Sequence, residues 1–243
     1  MAQQRRSIDG AASVDEGVTS LVGPSVVQLS PAVQGTSASR ICRGCKRALD
    51  ILISAFALVV LLPFTAIAVI AIMLDSRGSP IFVHDRIGRV GQPFGVLKLR
   101  TMEAGAQARL ETFLKAHADL HEQWKAGFKL LEDPRVTRVG AFLRRWSLDE
   151  VPQFVNVLRG QMSVVGPRPV TPDEASYFGS DLPLVLSVRP GLTGLWAVSG
   201  RSELSYHERA ALEASYVRDW SLRRDLSILV RTVPTVIRRR GAY

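Results

Sequence analysis

From Ile51 to Leu74 the chain reads ILISAFALVVLLPFTAIAVIAIML, about 24 positions without a charged side chain. At about 1.5 Å of rise per residue, a helix of that length reaches across the ~30 Å hydrocarbon core of a bilayer. A run this long and this apolar predicts a membrane helix rather than a buried core helix. Two features argue against a simple crossing. Pro63 sits at the middle, where its missing N–H and its ring predict a kink. Both flanks are basic, with Arg40, Arg43, Lys46 and Arg47 before the run and Arg77, Arg86 and Arg89 after it. Cytoplasmic segments collect Lys and Arg, so both ends ask for the same side of the membrane. A helix broken at Pro63 satisfies this, because each half spans about 12 residues, roughly 18 Å, and can dip past the middle of the core and return. The expectation is a re-entrant membrane helix within residues 39–75, with Ser54 or Thr65 helping to satisfy the carbonyls freed at Pro63. A single span is the alternative.

Composition narrows the partners. The chain carries 31 Lys+Arg against 22 Asp+Glu, a net charge of +9, and 47% of its residues are apolar. A cationic chain with that apolar content suits an anionic membrane surface or a lipid phosphate. No zinc-finger spacing, RNP-type motif or basic repeat is present, and no nucleic acid partner is expected. Cys42 and Cys45 form one CRGC pair, which closes no four-ligand zinc site without a second pair. They are read as incidental thiols in a reducing compartment. No apolar segment of secretory-signal length stands at the start. Residues 1–38, rich in Ser, Gln, Val, Gly and Ala without a sustained period, read as a disordered N-terminal tail.

Past Asp75 the character changes. The segment SPIFVHDRIGRVGQPFGVLKLRTM has extended stretches at Pro80–His84 and Phe94–Arg100 around Gly88, Gly91 and Pro93, which predicts a β-hairpin. Its GRVG lacks the Lys-Ser/Thr of a phosphate-cradling loop, so the glycines are read as turn residues. Residues 103–131 predict a helix with Leu110, Phe113, Leu114 and Leu120 facing a core. His117 and His121 stand one turn apart on it, but with no HExxH and no third ligand they predict no metal site. The C-terminal stretch YVRDWSLRRDLSILVRTVPTVIRRRGAY alternates basic and apolar positions. It predicts an amphipathic helix resting on an anionic membrane with Trp220 at the interface, while an ordinary surface helix fits the same pattern. The fold class is α+β and mostly helical: a re-entrant helix broken at Pro63, a small hairpin, and amphipathic surface helices around a compact domain over residues 76–243.

The segment RRWSLDEVPQF puts Asp149 and Glu150 side by side behind Arg144, Arg145 and Trp146. Ser147 to Glu150 matches S-x-x-E, a capping box, and acids suit a first helical turn. Pro152 contradicts that reading, because it falls at the fifth helical position, where its ring crowds the Leu148 carbonyl. Local rules break most often at functional sites. Arg135, Arg138, Arg144, Arg145 and, in GPRP, Arg168 surround the acids in sequence, and each arginine can grip phosphate oxygens. Carboxylates among arginines are either plain ion pairs or a nucleophile and a metal ligand in a phosphate site.

These segments together resemble a known family. KRALDILISAFAL, the proline-broken run, DSRGSPIFVHDRIGRVGQPFGVLKLRTM, DPRVTRVGAFLRRWSLDEVPQFVNVLRGQMSVVGPRP, RPGLTGLWAVSGR and YVRDWSLRRDLSIL occur in the order found in bacterial sugar transferases. Those are the monotopic phosphoglycosyl transferases that start exopolysaccharide assembly on a polyprenyl phosphate. The resemblance runs from about Lys46 to Tyr243.

The resemblance implies a reaction in which a UDP-hexose, UDP-glucose or UDP-galactose in minimal members, gives its hexose-1-phosphate to undecaprenyl phosphate and UMP leaves. It implies that Asp149 attacks the β-phosphate and forms a covalent aspartyl phospho-sugar, and that Glu150 holds Mg²⁺. Arg100, Arg144 and Arg168 fall where the family handles phosphate. Asp225 matches a functional acid of the family, and Glu213 stands where some relatives carry Asp. The usual Ser-Pro at the helix break is Leu62-Pro63 here, so the proline is kept and the hydroxyl is not. The location implied is the cytoplasmic face of the bacterial inner membrane, in contact with membrane lipids. A UDP-releasing glycosyltransferase and a non-catalytic membrane adaptor are the competing readings. The residues leave open which hexose is used, which polymer results and whether the chain forms a homo-oligomer.

Overall fold

The computed structural model describes residues 37–103, 133–200 and 204–237, with isolated positions between 105 and 130. Residues 1–36, most of the helix expected over 103–131 and the arginines at 238–240 lie outside the described residues. Where 103–131 is described, Leu110, Leu114 and Leu130 cluster with Phe113 and Leu120 packed against them.

Helix α1 runs over Ser37–Asp75, 39 residues with Pro63 inside. It begins within the segment read as a tail. The expected break is not an interruption of the helix, since helical structure continues on both sides of Pro63. Proline removes a single backbone donor, and the flanking bonds persist. Thr65 Oγ1 donates to the Leu61 carbonyl four residues back at 2.8 Å, a bond that tends to bend helices. Ser54 Oγ is buried and has no hydrogen-bond partner among the described residues.

One face of α1 packs on the rest of the chain. Asp50, Ser54, Ala68 and Ile72 are buried, with Ala57, Leu61 and Thr65 half-buried between them at helical spacing. Phe56, Val59, Leu62, Ile67, Ile70 and Leu74 are exposed on the other faces. Both ends are clasped. Lys46 Nζ donates to the Val165 carbonyl at 2.8 Å and pairs with Asp225 Oδ2 at 2.6 Å. Arg47 donates to the carbonyls of Val157 and Leu158 at 2.7 and 3.0 Å. Past the other end, Arg100 donates to the carbonyls of Ser76 and Arg77 at 2.7 and 3.0 Å.

The predicted hairpin is present as β1 (Ile81–Ile87) and β2 (Pro93–Leu99), antiparallel with Ile81 opposite Leu99 and Ile87 opposite Pro93. A short turn at Arg89–Gly91 joins them, with Gly91 at φ +78°. Then follow α2 (Arg138–Arg145), a 3₁₀ turn at Leu148–Glu150, and α3 (Gln153–Leu158). Strand β3 (Ser163–Val165) comes next, then a 3₁₀ segment at Ala175–Asp181 and α4 (Leu182–Val185). Strand β4 (Gly191–Thr193) pairs parallel with β3. The backbones pass closely here: a Cβ on Gly191 would lie 2.1 Å from Gly166 N. Only glycine permits that approach.

A 3₁₀ turn at Trp196–Val198 precedes α5 (Tyr206–Arg218) and α6 (Leu222–Ile237). The C-terminal stretch is thus two helices. The expectation for Trp220 is corrected: its indole packs against the cluster of Val157, Met162, Val165, Tyr216 and Ile228. Its Nε1 donates to Asp225 Oδ2 at 3.1 Å, so it faces the interior. The outward stripe of α6 is Leu226, Val230, Val233 and Ile237.

Candidate active site

The acids sit where β2 and α2 meet. Thr137 caps α2, its Oγ1 accepting from Gly140 N at 3.0 Å. A Cβ on Gly140 would lie 2.0 Å from the Thr101 carbonyl oxygen, so only glycine lets α2 start flat on the chain leaving β2. Thr101 Oγ1 accepts from Arg144 Nε at 2.9 Å, tying the last turn of α2 to the same segment. The chain then reverses at Ser147, at φ +55°. A non-glycine residue there costs on the order of 1 kcal/mol. Ser147 makes no side-chain cap bond, and Pro152 stands just before α3 instead of inside it. The capping box is therefore absent at this turn. One forms at Ser205 and Glu208, at the start of α5.

Asp149 is 8% exposed. Lys98, projecting from β2, lies 3.0 Å from Glu150 Oε1 and 3.8 Å from Asp149 Oδ2. Burial pushes the Asp149 carboxyl up to about 6; Lys98 and Arg144 pull it down, and Glu150 pushes it up. Asp149 is thus a buried acid beside a half-buried one, and its loss of water outweighs the pull of the two cations.

The second half of the site follows β3. Arg168 donates its backbone N–H to Glu213 Oε1 at 2.8 Å. Its guanidinium lies 5.0 Å from the centre of the Trp196 ring and bonds to no side chain among the described residues. Its cationic neighbours are occupied. Glu174 pairs with Arg86 at 3.2 Å and Arg209 at 3.0 Å. Burial would raise the Glu174 carboxyl, but Arg168, Arg209 and Arg86 pull it down to about 2. Arg168 is left as the cation in this cluster open to an incoming anion. His84 joins the halves: burial, then Arg86, Lys98 and Arg168, push it down to about 4, so it is neutral near pH 7.

The sequence-predicted residues thus divide. Asp149, Glu150 and Arg144 are brought together, and Arg168 stands across His84 from them. Glu213 is wholly buried, so it holds the Arg168 backbone and reaches no substrate surface. Two placements differ from expectation. Arg100 is tied to Ser76 and Arg77. Asp225 is buried and takes bonds from Lys46, Tyr216 and Trp220. Both serve the clasps of α1. Sequence reasoning missed Lys98, His84, Arg86, Glu174 and Arg209. Lys98 carried a signal, as the one cation within the apolar β2 pattern; Glu174 and Arg209 carried none, because their pairing joins distant segments.

A sequence profile described as bacterial sugar transferase matches residues 41–239. The chain is 46% identical over 198 residues to the exopolysaccharide production protein ExoY of Rhizobium meliloti, covering 82% of this chain and 88% of that one. It is 40% identical over 211 residues to the undecaprenyl-phosphate galactose phosphotransferase of Salmonella typhimurium, covering 87% of this chain and 44% of that one. It is 38% identical over 206 residues to the UDP-glucose:undecaprenyl-phosphate glucose-1-phosphate transferase of Caulobacter vibrioides, covering 82% and 72%. With a profile spanning the clasped helix, both halves of the site and the C-terminal helices, this chain belongs to the bacterial sugar transferase family.

Proposed function

We propose that the protein is a phosphoglycosyl transferase that moves hexose-1-phosphate from a UDP-hexose, UDP-glucose or UDP-galactose, to undecaprenyl phosphate, releasing UMP and starting exopolysaccharide assembly. The observation that carries this is the buried Asp149 beside the half-buried Glu150, with Lys98 and Arg144 on one side and the uncommitted Arg168 on the other. The names of the relatives agree with it.

In this reading an Asp149 oxygen attacks the β-phosphorus of the donor. The bond to the bridging oxygen breaks, UMP leaves with that electron pair, and the hexose-phosphate stays on the carboxylate as an acyl phosphate. A phosphate oxygen of undecaprenyl phosphate then attacks the same phosphorus, frees Asp149 and forms the diphosphate-linked sugar. Lys98 and Arg144 offset charge as it develops, and Arg168 holds donor phosphate oxygens. Burial keeps water from Asp149 and from the acyl phosphate. The carboxylate pair suits Mg²⁺, a hard cation that takes one or two protein carboxylates with phosphate oxygens and water. Glu150 would hold it, and it would add positive charge beside the buried Asp149.

The membrane supplies the second substrate. A re-entrant α1 would seat the domain at the cytoplasmic headgroup plane, where a soluble nucleotide sugar meets a lipid-borne phosphate. The stripe Leu226, Val230, Val233 and Ile237, with Arg223 and Arg231 beside it, suits the same plane. The test is nucleotide release from membranes given Mg²⁺, undecaprenyl phosphate and UDP-hexoses singly. UMP with one hexose, lost in Asp149→Asn, is the expected result. UDP release, or UMP that survives the substitution, would overturn the mechanism.

A further inference from the structure

Helix α1 does more in this fold than anchor it. Its buried Asp50 accepts from Ser163 Oγ, at 3.0 and 2.9 Å to the two carboxylate oxygens, and from the backbone N–H of Val164 at 2.9 Å. One turn earlier, Lys46 donates to the Val165 carbonyl. These bonds take hold of all three residues of β3, and β3 leads directly into Gly166, Pro167 and Arg168. Asp50 and Ser163 are 4% and 1% exposed, so both are removed from water and their bonds have no solvent substitute. On its far side the Arg168 backbone is held by Glu213. The loop is therefore suspended between α5 and the apolar helix.

We infer that Asp50 is a positioning residue for Arg168: the apolar helix, through Asp50 and Lys46, sets the strand that delivers the phosphate-gripping arginine. The inference rests on the proposed phosphate role of Arg168. It makes the seating of α1 a condition of donor binding, so a domain loosened from its helix loses its grip on the nucleotide sugar.

The test compares full-length Asp50→Ala, Asp50→Asn, Arg168→Ala and the Asp50→Ala/Arg168→Ala double variant in membranes. Asp50→Ala leaves the apolar run intact, so the protein is expected to stay in the membrane fraction. Its kcat/KM for UDP-hexose should fall by roughly 10-fold to 100-fold, the cost of a displaced substrate-holding group. Asp50→Asn keeps an acceptor for the Val164 N–H and can donate to Ser163 Oγ, so it should recover most of that loss. In the Arg168→Ala background, Asp50→Ala should cost less than about threefold more, because both act through one group. A second readout is amide hydrogen exchange over residues 163–168, which should accelerate in Asp50→Ala while α5 keeps its protection. Fully additive losses, or unchanged exchange at 163–168, would overturn the inference. If Arg168→Ala alone keeps full activity, the phosphate role assigned to Arg168 fails, and the exchange measurement still decides whether Asp50 sets the strand.

Discussion

Glu213 and Glu174 are both buried acids beside Arg168, yet their chemistry is opposite. Glu213, with Arg209 and Tyr216 on its own helix and Arg168 facing it, is pushed by burial up to about 8. Glu174 is pulled down to about 2 by three arginines. The stabilisation from Glu213 is fully present below its unfolded value near 4.5 and is lost as pH rises through about 8. That from Glu174 is present above its unfolded value and is lost as pH falls through about 2. Thermal unfolding should therefore show a falling Tm from pH 5 to pH 8.5, and Glu213→Gln should flatten that slope and raise stability at pH 8 by a few kcal/mol. A slope unchanged by the substitution would remove Glu213 as its source. Glu174→Gln should do the reverse at pH 7, destabilising by about 3–5 kcal/mol, because Arg86 and Arg209 are left buried without a counter-charge. Individual residues were legible where a local rule broke: Asp149 and Glu150 stood out because Pro152 spoiled the cap. Glu174 was not, since nothing in TPDE tells of two arginines at positions 86 and 209.

At the scale of elements, the hairpin and α3 are joined by one side chain. Asn156 Oδ1 accepts from Leu97 N at 3.0 Å, and its Nδ2 donates to the Gly95 carbonyl at 2.8 Å. It mimics a neighbouring strand along the open edge of β2, and Leu97 is the residue directly before Lys98. Asn156→Ala should leave both half-buried backbone groups without this partner and cost about 1–3 kcal/mol in denaturant unfolding. It should also lower turnover, because Lys98 loses its fixed distance to the acids. Stability lost with turnover intact would separate the brace from the site. The hairpin was readable from its turn glycines and alternation, and α1 from its apolar length. The division of the C-terminal stretch into α5 and α6 was not, because Trp220 reads as an interfacial anchor until Asp225 is seen accepting its N–H.

For the molecule as a whole, the clasps at the two ends of α1 bear on how it meets the membrane. Lys46, Arg47 and Asp50 fasten its first part to β3, α3 and α6, and Arg100 fastens the chain just beyond its end. One body holds both ends, so a crossing helix would have to tear one of them away across the bilayer. Near its start the clasp includes the largely buried Lys46–Asp225 ion pair, which costs several kcal/mol to break on one side only, and past its end two charge-assisted hydrogen bonds from Arg100 add to that cost. Both ends should therefore lie on the domain's side. Cys45, exposed just before Lys46, is a natural reporter for the first end. A cysteine at Ser79, in a chain lacking Cys42 and Cys45, reports the second. A membrane-impermeant maleimide should label each in inside-out vesicles and neither in intact spheroplasts. Labelling of one end from each side would establish a span and sink the re-entrant reading. Pro63→Leu restores the missing N–H and favours a straight helix about 36 Å long across the apolar run, enough to span. Labelling of Cys45 from outside is expected in that variant. Labelling that stays inside would mean that the clasps, rather than the proline, hold both ends on one face.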